Sequence, residues 1–176
     1  MLFRSHRPYE FGVKVSVATP VAASRGGQFV LAAKALPGSP YDGHTLSTVI
    51  PHVEGIIGNE IKRVIGDKGY RGHGAPAPYD MRVYVSEQKR GVTPAIKRDL
   101  RRRPAVEPVI GHLKSDHRMD RNFLIGPHGD ATNAVLAAIG YNFARLLAWL
   151  AKLLCVLWLM ALEINLAPSR PRSRPA

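Results

Sequence analysis

This sequence has a single cysteine, and it has about half as many acidic as basic residues. Cys155 is the single cysteine, which excludes intrachain disulfides and multi-cysteine metal sites and favours a reducing compartment, so we expect a cytoplasmic protein. Asp and Glu total 13 against 25 Lys and Arg, giving a formal net charge of +12. Residues 1–10 lack the apolar stretch that a signal peptide requires.

The excess of positive charge indicates a polyanionic partner, nucleic acid first and anionic membrane second. Structural RNA-binding proteins share this composition, so charge alone does not identify an enzyme. With 176 residues, 45% of them hydrophobic, the chain is long enough for one domain with a hydrophobic core.

The order of predicted elements indicates an α/β fold. Alternating apolar residues predict a strand over 11–17, and a second strand over 29–36 follows a Gly-Gly turn, so the two are expected to be antiparallel. Asp42 resembles a helix cap, and Pro51 is expected to kink or shorten the helix that follows it. Residues 61–65 predict a buried strand.

The second half of the chain is predicted to be mainly helical. A loop over 72–80 and a short strand over 81–85 lead to a basic helix, capped by Thr93, that extends to Arg103. Pro104 is expected to interrupt or restart this helix, and the helical pattern continues toward Arg118. After a loop over 125–129, a long helix is expected from about Asp130, with one buried side formed by Ala134, Val135, Ala138, Ile139 and Phe143.

Asp67 is the first candidate for chemistry. It follows the predicted buried strand, at the end where ligands gather in α/β sheets. Gly66 and Gly69 allow close backbone approach, and Lys68 and Arg71 add charge that attracts phosphate. The structural alternative is a turn aspartate that caps its own backbone.

Glu107 is the second candidate. At helical spacing, Arg103, Glu107 and Lys114 lie on one face. Such a face is either a surface ladder of ion pairs or a metal-binding carboxylate with cations on both sides that hold phosphates.

Ten cations lie between residues 89 and 121, with few compensating acids. The plain interpretation is a solvated helix face, but this excess makes nucleic-acid contact the better interpretation. The ten are Lys89, Arg90, Lys97, Arg98, Arg101, Arg102, Arg103, Lys114, Arg118 and Arg121.

These segments, taken in order, resemble DDE transposases, most closely those of the bacterial insertion-sequence four/five group. The run from Asp67 to Gly72 resembles the second acidic block of that family. The third block reads Tyr, two residues, Arg, three residues, Glu, six residues, Lys; Arg103, Glu107 and Lys114 fit it, and Leu100 stands in place of the tyrosine. The segments 8–14, 40–46 and 134–143 also resemble family segments, so the resemblance extends to about residue 150.

The resemblance implies a ribonuclease-H-like fold that binds DNA at the transposon ends. Three family carboxylates hold two Mg²⁺ ions for in-line phosphoryl displacement. Here Asp67 and Glu107 would be the catalytic metal ligands, with Arg103 and Lys114 placed on the DNA backbone. The DNA-binding set expected from the charge pattern and the resemblance comprises Arg103, Lys114, Lys68, Arg71, Lys97, Arg98, Arg101 and Arg102.

The first family aspartate has no counterpart in the sequence. In the family it lies on a strand that precedes the strand at residue 11, and Glu10, the only acid before Asp42, belongs to another family segment. A truncated or split copy is therefore expected, inactive alone. Without that central strand, exposed sheet edges would reduce solubility and favour homo-oligomers or assembly with a full-length transposase.

The partial catalytic domain is expected over 1–150. Two parts follow it: an apolar helical continuation over 151–167 and a disordered Arg/Pro tail over 168–176. The uninterrupted apolar run 153–162 is shorter than the roughly 20 residues that span a bilayer, so a packed helix is expected. The alternatives are a membrane-associated protein and a non-catalytic DNA-binding protein.

Overall fold

Two short strands form the first sheet. The computed structural model describes residues 12–22, 24–72 and 81–166, with side chains to residue 162. Strand β1 (Lys14–Ala18) pairs antiparallel with β2 (Ala32–Leu36), placing Lys14 opposite Leu36. The antiparallel prediction is confirmed. All five β1 residues are half-buried rather than alternating, because the strand borders a cavity described below.

Helix α1 (Asp42–Ile57) packs against this sheet. Its buried residues Leu46, Val49 and Val53 repeat at helical spacing. Because α1 continues through Pro51, the predicted shortening of the helix at that residue is wrong. Proline has no backbone N–H, so Pro51 leaves the carbonyl of Ser47, four residues earlier, without its helical hydrogen bond. Both residues are exposed, so water can bond to that carbonyl instead.

The second sheet is separate from the first. Strand β3 (Arg63–Gly66) pairs parallel with β4 (Arg82–Val85), and a single 3-10 turn (Lys68–Tyr70) follows β3. Most of the predicted 72–80 loop lies outside the described residues. Within the described chain the two sheets share no strand, so the fold is a mixed α/β arrangement of small sheets with a long carboxy-terminal helix.

Helices α2 (Pro94–Arg102) and α3 (Val106–Ser115) are joined by a 3-10 turn (Arg103–Ala105). Thr93 caps α2 as predicted, its side chain accepting from the Ile96 backbone N–H at 3.4 Å. Because Pro104 cannot donate a helical hydrogen bond, the break at that position is also as predicted. Helix α3 ends at Ser115, earlier than the pattern suggested.

The core lies where α4 (Gly126–Leu166) crosses the first sheet and α3. The predicted loop over 125–129 is wrong: α4 begins at Gly126, and Pro127 occupies an early helical position that needs no N–H donor. Its buried face is Ala134, Ala137, Ala138 and Tyr141, whereas Val135, Ile139 and Phe143 are exposed. Small residues face the sheet because they let the helix approach closely.

Side-chain amides tie α4 to the first sheet. Val30 donates its backbone N–H to Asn142 Oδ1 at 2.9 Å, and Asn142 Nδ2 donates to the Val30 carbonyl at 2.8 Å. The Tyr141 hydroxyl donates to the Gln28 carbonyl at 3.0 Å. These bonds satisfy backbone groups just before β2, where strand pairing has not begun.

The last part of α4 is exposed to solvent. Every residue over 150–162, here named the distal segment, belongs to the exposed class, including Leu157 and Trp158. The described chain therefore does not bury this segment, as the predicted packed helix required. By length and composition alone, α4 is a helix that is both long enough and apolar enough to cross a membrane. The predicted tail over 168–176 lies outside the described residues.

Candidate metal and nucleic-acid site

Asp67 lies directly after β3, at the start of the 3-10 turn. Its Oδ1 accepts the Gly69 backbone N–H at 2.8 Å, so the turn-capping alternative describes one of its oxygens. Its other oxygen, Oδ2, accepts from Arg103 Nη2 at 3.2 Å. The carboxylate therefore has both a structural contact and a contact with the next candidate residue.

Arg103 joins the two candidate acids. Its guanidinium donates through Nη2 to Asp67 and through Nη1 to Glu107 Oε1. Glu107 lies in the first turn of α3, where a negative side chain is favoured by the helix dipole. One side chain thus brings the end of β3 and the start of α3 to the same place, although the sequence separates them widely.

The two carboxylates are accessible to solvent. Their side chains are 44% exposed at Asp67 and 54% at Glu107, against 25% at Arg103. Exposed ion pairs of this kind contribute about 0–1 kcal/mol each to stability. The cluster is therefore open to an added cation and has a small part in holding the fold together.

Asp42 is a site residue that the sequence analysis missed. The predicted helix cap is wrong: Tyr41 is the N-cap and makes no side-chain bond, while Asp42 is the first residue of α1. Its Oδ1 accepts from Lys14 Nζ at 2.8 Å. A Cβ at Gly69 would collide with Asp42 Oδ2 and lie 3.1 Å from Asp67 Oδ1, so both carboxylates border that glycine.

Tyr70 packs behind these acids. Its ring lies against Gly66, where a Cβ would come within 2.7 Å of it. Burial raises the pKa of the Tyr70 hydroxyl, and the nearby Asp42 charge raises it further, while hydrogen bonds with Thr45 and Ser16 act in the opposite direction. The neutral hydroxyl therefore links β1, α1 and the turn beside Asp67.

The predicted cations near Asp67 have different surroundings. Lys68 Nζ lies 2.7 Å from Glu87 Oε1, and this hydrogen bond lowers the pKa of the Glu87 carboxyl. Arg71 is exposed, and its backbone carbonyl accepts from the Tyr41 hydroxyl at 2.8 Å. Lys68 is thus already paired with an acid, whereas Arg71 is available to a ligand.

Helix α2 presents its cations together. Lys97, Arg98, Arg101 and Arg102 are all exposed, and the spacings of three and four residues among them place them on one broad stripe. The single acid of α2, Asp99, is instead paired with Arg63 on β3 at 3.0 Å. None of the four cations takes part in an ion pair within the described chain, and Lys114 on α3 is likewise exposed and unpaired there.

A cavity separates the two sheets. Its volume is about 420 Å³, and its walls include β1 residues Val15 and Val17, β3 residue Ile65 and the apolar side of α1. Asp67 and Arg103 lie at its border. Each sheet has only two strands, so β1 and β3 each present an edge with no strand paired to it in the described chain, and both edges line this cavity.

The donor set suits a hard divalent cation only in part. Asp67 and Glu107 offer the carboxylate oxygens that Mg²⁺ prefers. Among residues 12–22, 24–72 and 81–166, however, no three His, Cys, Asp or Glu side chains are grouped closely enough to hold a metal ion. Asp67 and Glu107 therefore account for two of the ligands that a carboxylate-bound metal site needs.

Comparison with known proteins links part of this chain to a protein family. No curated protein and no solved structure matches the chain. Residues 81–147, fewer than half of the chain, match the family model described as the transposase DDE domain. This matched region contains β4, α2, the turn with Arg103, α3 with Glu107, and α4 as far as residue 147, but not Asp67.

Proposed function

We propose that this chain is part of the catalytic domain of a DDE transposase of the bacterial insertion-sequence four/five group, with a ribonuclease-H-like fold. Its activity would be metal-dependent cleavage and transfer of DNA strands at transposon ends. The family match over residues 81–147 supports transposition as the general function.

The observation that carries this proposal is the contact of Arg103 with both Asp67 and Glu107. Asp67 lies outside the matched region, yet the fold brings it to the glutamate of that region. A stability role explains little of this arrangement, because partly exposed ion pairs contribute little. Two open carboxylates held by one cation are consistent with a site that accepts a metal ion.

Asp67 and Glu107 would hold the metal through their carboxylate oxygens. A bound Mg²⁺ pair supplies activation of a water or 3′-hydroxyl and stabilisation of the leaving oxygen. Arg103 keeps the two carboxylates in place and balances their charge while metal is absent. Lys114, seven residues beyond Glu107 and about 10 Å along α3, would bind a phosphate of the same strand.

The DNA duplex would lie on the exposed stripe of α2. Lys97, Arg98, Arg101 and Arg102 offer four unpaired cations to backbone phosphates. Arg71 adds a fifth near Asp67, and Lys68 becomes available only if it leaves Glu87. This surface would position DNA without reading its sequence, since none of these contacts requires a base edge.

The cavity between β1 and β3 supports the expectation that a further strand belongs to the active enzyme. Two unpaired edges that line one apolar cavity match the hydrogen-bonding needs of an inserted strand. We infer that this strand carries the first aspartate and comes from another segment or from a full-length transposase. The chain by itself would then bind DNA without cleaving it.

Metal binding gives the sharpest test. Isothermal titration with Mn²⁺ should show weak binding by the wild type that is lost in Asp67→Asn and in Glu107→Gln. Asp120→Asn and Glu60→Gln, at exposed acids with no described partner, are matched controls and should leave the titration unchanged. Equal binding by all five proteins would contradict the proposed site.

The non-catalytic alternative is a DNA-binding protein that uses the same α2 surface. It predicts tight DNA binding that is indifferent to Mg²⁺ and to Asp67→Asn. The transposase proposal predicts that Mg²⁺ changes the affinity for DNA and that this change disappears in Asp67→Asn. Fluorescence anisotropy with a labelled duplex, with and without Mg²⁺, separates the two.

A second candidate function is membrane association, which the exposed distal segment favours. The thirteen residues of the distal segment extend about 20 Å, short of the roughly 30 Å hydrocarbon core, so this segment alone would insert partly, and spanning would require the preceding residues of α4 as well. Arg170, Arg172 and Arg174 would then meet anionic headgroups. Flotation with anionic vesicles tests this, and loss of binding in Leu157→Glu but not in Leu136→Glu would support it.

A further inference from the structure

Helix α4 carries a second apolar face besides the one that packs on the first sheet. Large apolar side chains recur along it at alternating spacings of three and four residues, and this row is here named the seam. The seam residues are Leu136, Ile139, Phe143, Leu146, Leu150, Leu153, Leu157 and Met160. All eight are exposed, with values between 41% and 59%. The fold therefore leaves the whole seam open to solvent.

The spacing of the seam is that of a coiled coil. Its average period is about 3.5 residues, and it is sustained over about three and a half heptads, with apolar side chains at every a and d position. Registers shifted by one residue are interrupted, by Gly140 in one direction and by Asn142 in the other. This period suits a second helix that supercoils around α4, because knobs of one helix must meet holes of the other along the whole contact.

The seam faces away from the body of the protein. The buried residues Ala134, Ala137, Ala138 and Tyr141 lie against the first sheet and α3. At about 100° per residue, the seam lies on roughly the opposite side of α4. A second helix can therefore follow the seam along its length while the core stays intact.

The side chains around the seam favour an identical partner. The positions beside a coiled-coil contact usually carry the charges that set partner choice. Here they are uncharged: Gly140, Asn142, Leu147, Trp149, Leu154 and Val156. The two cations of this part of α4 lie off the seam, and one of them, Arg145, donates to the Tyr141 hydroxyl at 3.1 Å. Two copies can thus meet seam to seam, with the same patch on both, without a like-charge contact.

We propose that the seam binds the seam of a second copy of this chain, so that two α4 helices form an antiparallel pair. Eight half-exposed large side chains, at about 100 Å² each, offer on the order of 800 Å², the area that each partner of a stable complex buries. This contact is distinct from pairing of sheet edges, and it contains no residue of the candidate metal site.

The antiparallel direction follows from charge. Each chain has a formal net charge of +12, and its folded body lies on the amino-terminal half of α4. An antiparallel overlap centred on Ala148 places Leu136 beside Met160 of the second copy. The two bodies are then about 36 Å apart along the helices, several times the screening length of about 10 Å at moderate salt. A parallel pair would bring them side by side.

A lipid surface explains the seam less well than a second helix does. Its first four residues, from Leu136 to Leu146, precede the distal segment, where the other side of α4 lies on the protein core. Lipid cannot surround the helix there. Lipid contact also requires no heptad spacing, because hydrocarbon chains have no fixed holes for side chains to fill.

The test is sedimentation velocity of the full chain over a dilution series without lipid. Wild type should sediment as a dimer and dissociate on dilution. Leu153→Glu should raise the dissociation constant at least about 100-fold, because the pair would bury uncompensated carboxylates. Leu136→Glu, outside the distal segment, should raise it roughly 10-fold or more by the same cause at the end of the seam.

The matched control is Leu159→Glu, the same change at an exposed residue of the distal segment that is off the seam. It should alter the dissociation constant less than about 3-fold. At the dilute concentrations of an unfolding measurement the pair dissociates, so all three variants should keep the wild-type unfolding curve. A wild type that is monomeric throughout, even one that binds vesicles, overturns the proposal. Equal losses in Leu153→Glu and Leu159→Glu, or unchanged association in Leu136→Glu, also overturn it.

Disulfide cross-linking tests the direction of the pair. Exposed Cys155 is first replaced in a Cys155→Ser background, and Leu146→Cys and Leu150→Cys are then made separately. In the antiparallel overlap these two positions face each other across Ala148, so a mixture of the two proteins should cross-link under mild oxidation. Cross-linking of the Leu150→Cys protein to itself in place of the mixed product would overturn the antiparallel arrangement.

Discussion

The two ends of α4 have opposite relations to the rest of the protein. Over Ala134–Tyr141 the helix buries small residues against the first sheet and α3, and Asn142 continues the contact through two hydrogen bonds. Over the distal segment the same helix is apolar apart from Lys152, and it is exposed on every side. Hydrophobic composition therefore does not by itself identify the packed part of a helix.

The difference lies in residue size and in partners. Alanines let backbone elements approach closely, and the face that they form is narrow, so the rest of the helix surface there can remain in solvent. The large residues of the distal segment surround the helix and would need partners on all sides. A helix that is hydrophobic all round is normally buried in a protein or a membrane.

The largest expected effect is a loss of stability at the packed end of α4. Leu113 is fully buried where α3 meets α4, and Leu113→Ala should reduce the free energy of unfolding by about 2–5 kcal/mol. Leu157→Ala, the same change in the distal segment, should alter it by no more than about 0.5 kcal/mol. Urea denaturation followed by circular dichroism measures both, and similar losses would show that the distal segment is packed in solution.

Neutralising the α2 stripe should have the next largest effect, on DNA binding alone. Replacing Lys97, Arg98, Arg101 and Arg102 by Gln should lower the slope of log affinity against log salt by about 3–4, because each phosphate contact contributes about 0.9. Replacing three exposed cations away from this helix, Lys62, Arg82 and Lys152, provides the control. A slope unchanged by the α2 variant would remove α2 from the DNA surface.

Tyr70→Phe should have a smaller effect that depends on pH. Loss of the hydrogen bonds with Thr45 and Ser16 should cost about 1 kcal/mol near neutral pH. Because the folded pKa of Tyr70 is raised, its contribution is complete below pH 10 and is lost as the pH rises through the folded pKa. The stability difference between wild type and Tyr70→Phe should therefore shrink above pH 10 in thermal unfolding; a constant difference would argue against the raised pKa.

The smallest effect on folding and the clearest effect on solubility should come from the distal segment. Leu154→Glu/Leu157→Glu replaces two exposed side chains, so the unfolding free energy should change by less than about 1 kcal/mol. Wild type should scatter light as aggregates, and the double variant should do so less. A monodisperse monomer for both proteins would show that the exposed apolar surface does not drive association.

Local patterns in the sequence predicted the elements well where the signal was itself local. The antiparallel strands, the Thr93 cap and the break at Pro104 depend on neighbouring residues, and the structure confirms all three. The start of α4 was wrong because a Gly-Pro-rich stretch was interpreted as a loop, although proline is well suited to a first helical turn. The predicted shortening of α1 at Pro51 was wrong for a related reason, since the carbonyl that loses its backbone donor is exposed and can bond to water.

Contacts between distant residues were harder to predict. Helical periodicity predicted a buried side of α4 that included Val135, Ile139 and Phe143, whereas packing against the first sheet and α3 buries Ala137 and Tyr141 instead. Asp42 was missed because nothing local distinguishes it from a helix-start aspartate. Its proximity to Asp67 depends on how α1 and the turn after β3 meet at Gly69.

The bonds between Asn142 and Val30 have a consequence for synthesis of the protein on the ribosome. They join residues that are 112 positions apart, so the backbone groups of Val30 lack these hydrogen-bond partners until α4 has been synthesised. At usual elongation rates this delay is roughly 6–20 s, during which α1 can pack against the first sheet but the surface that α4 later covers stays exposed. That surface is therefore the part of the emerging chain that a factor shielding nascent strands would cover, before the site around Glu107 exists.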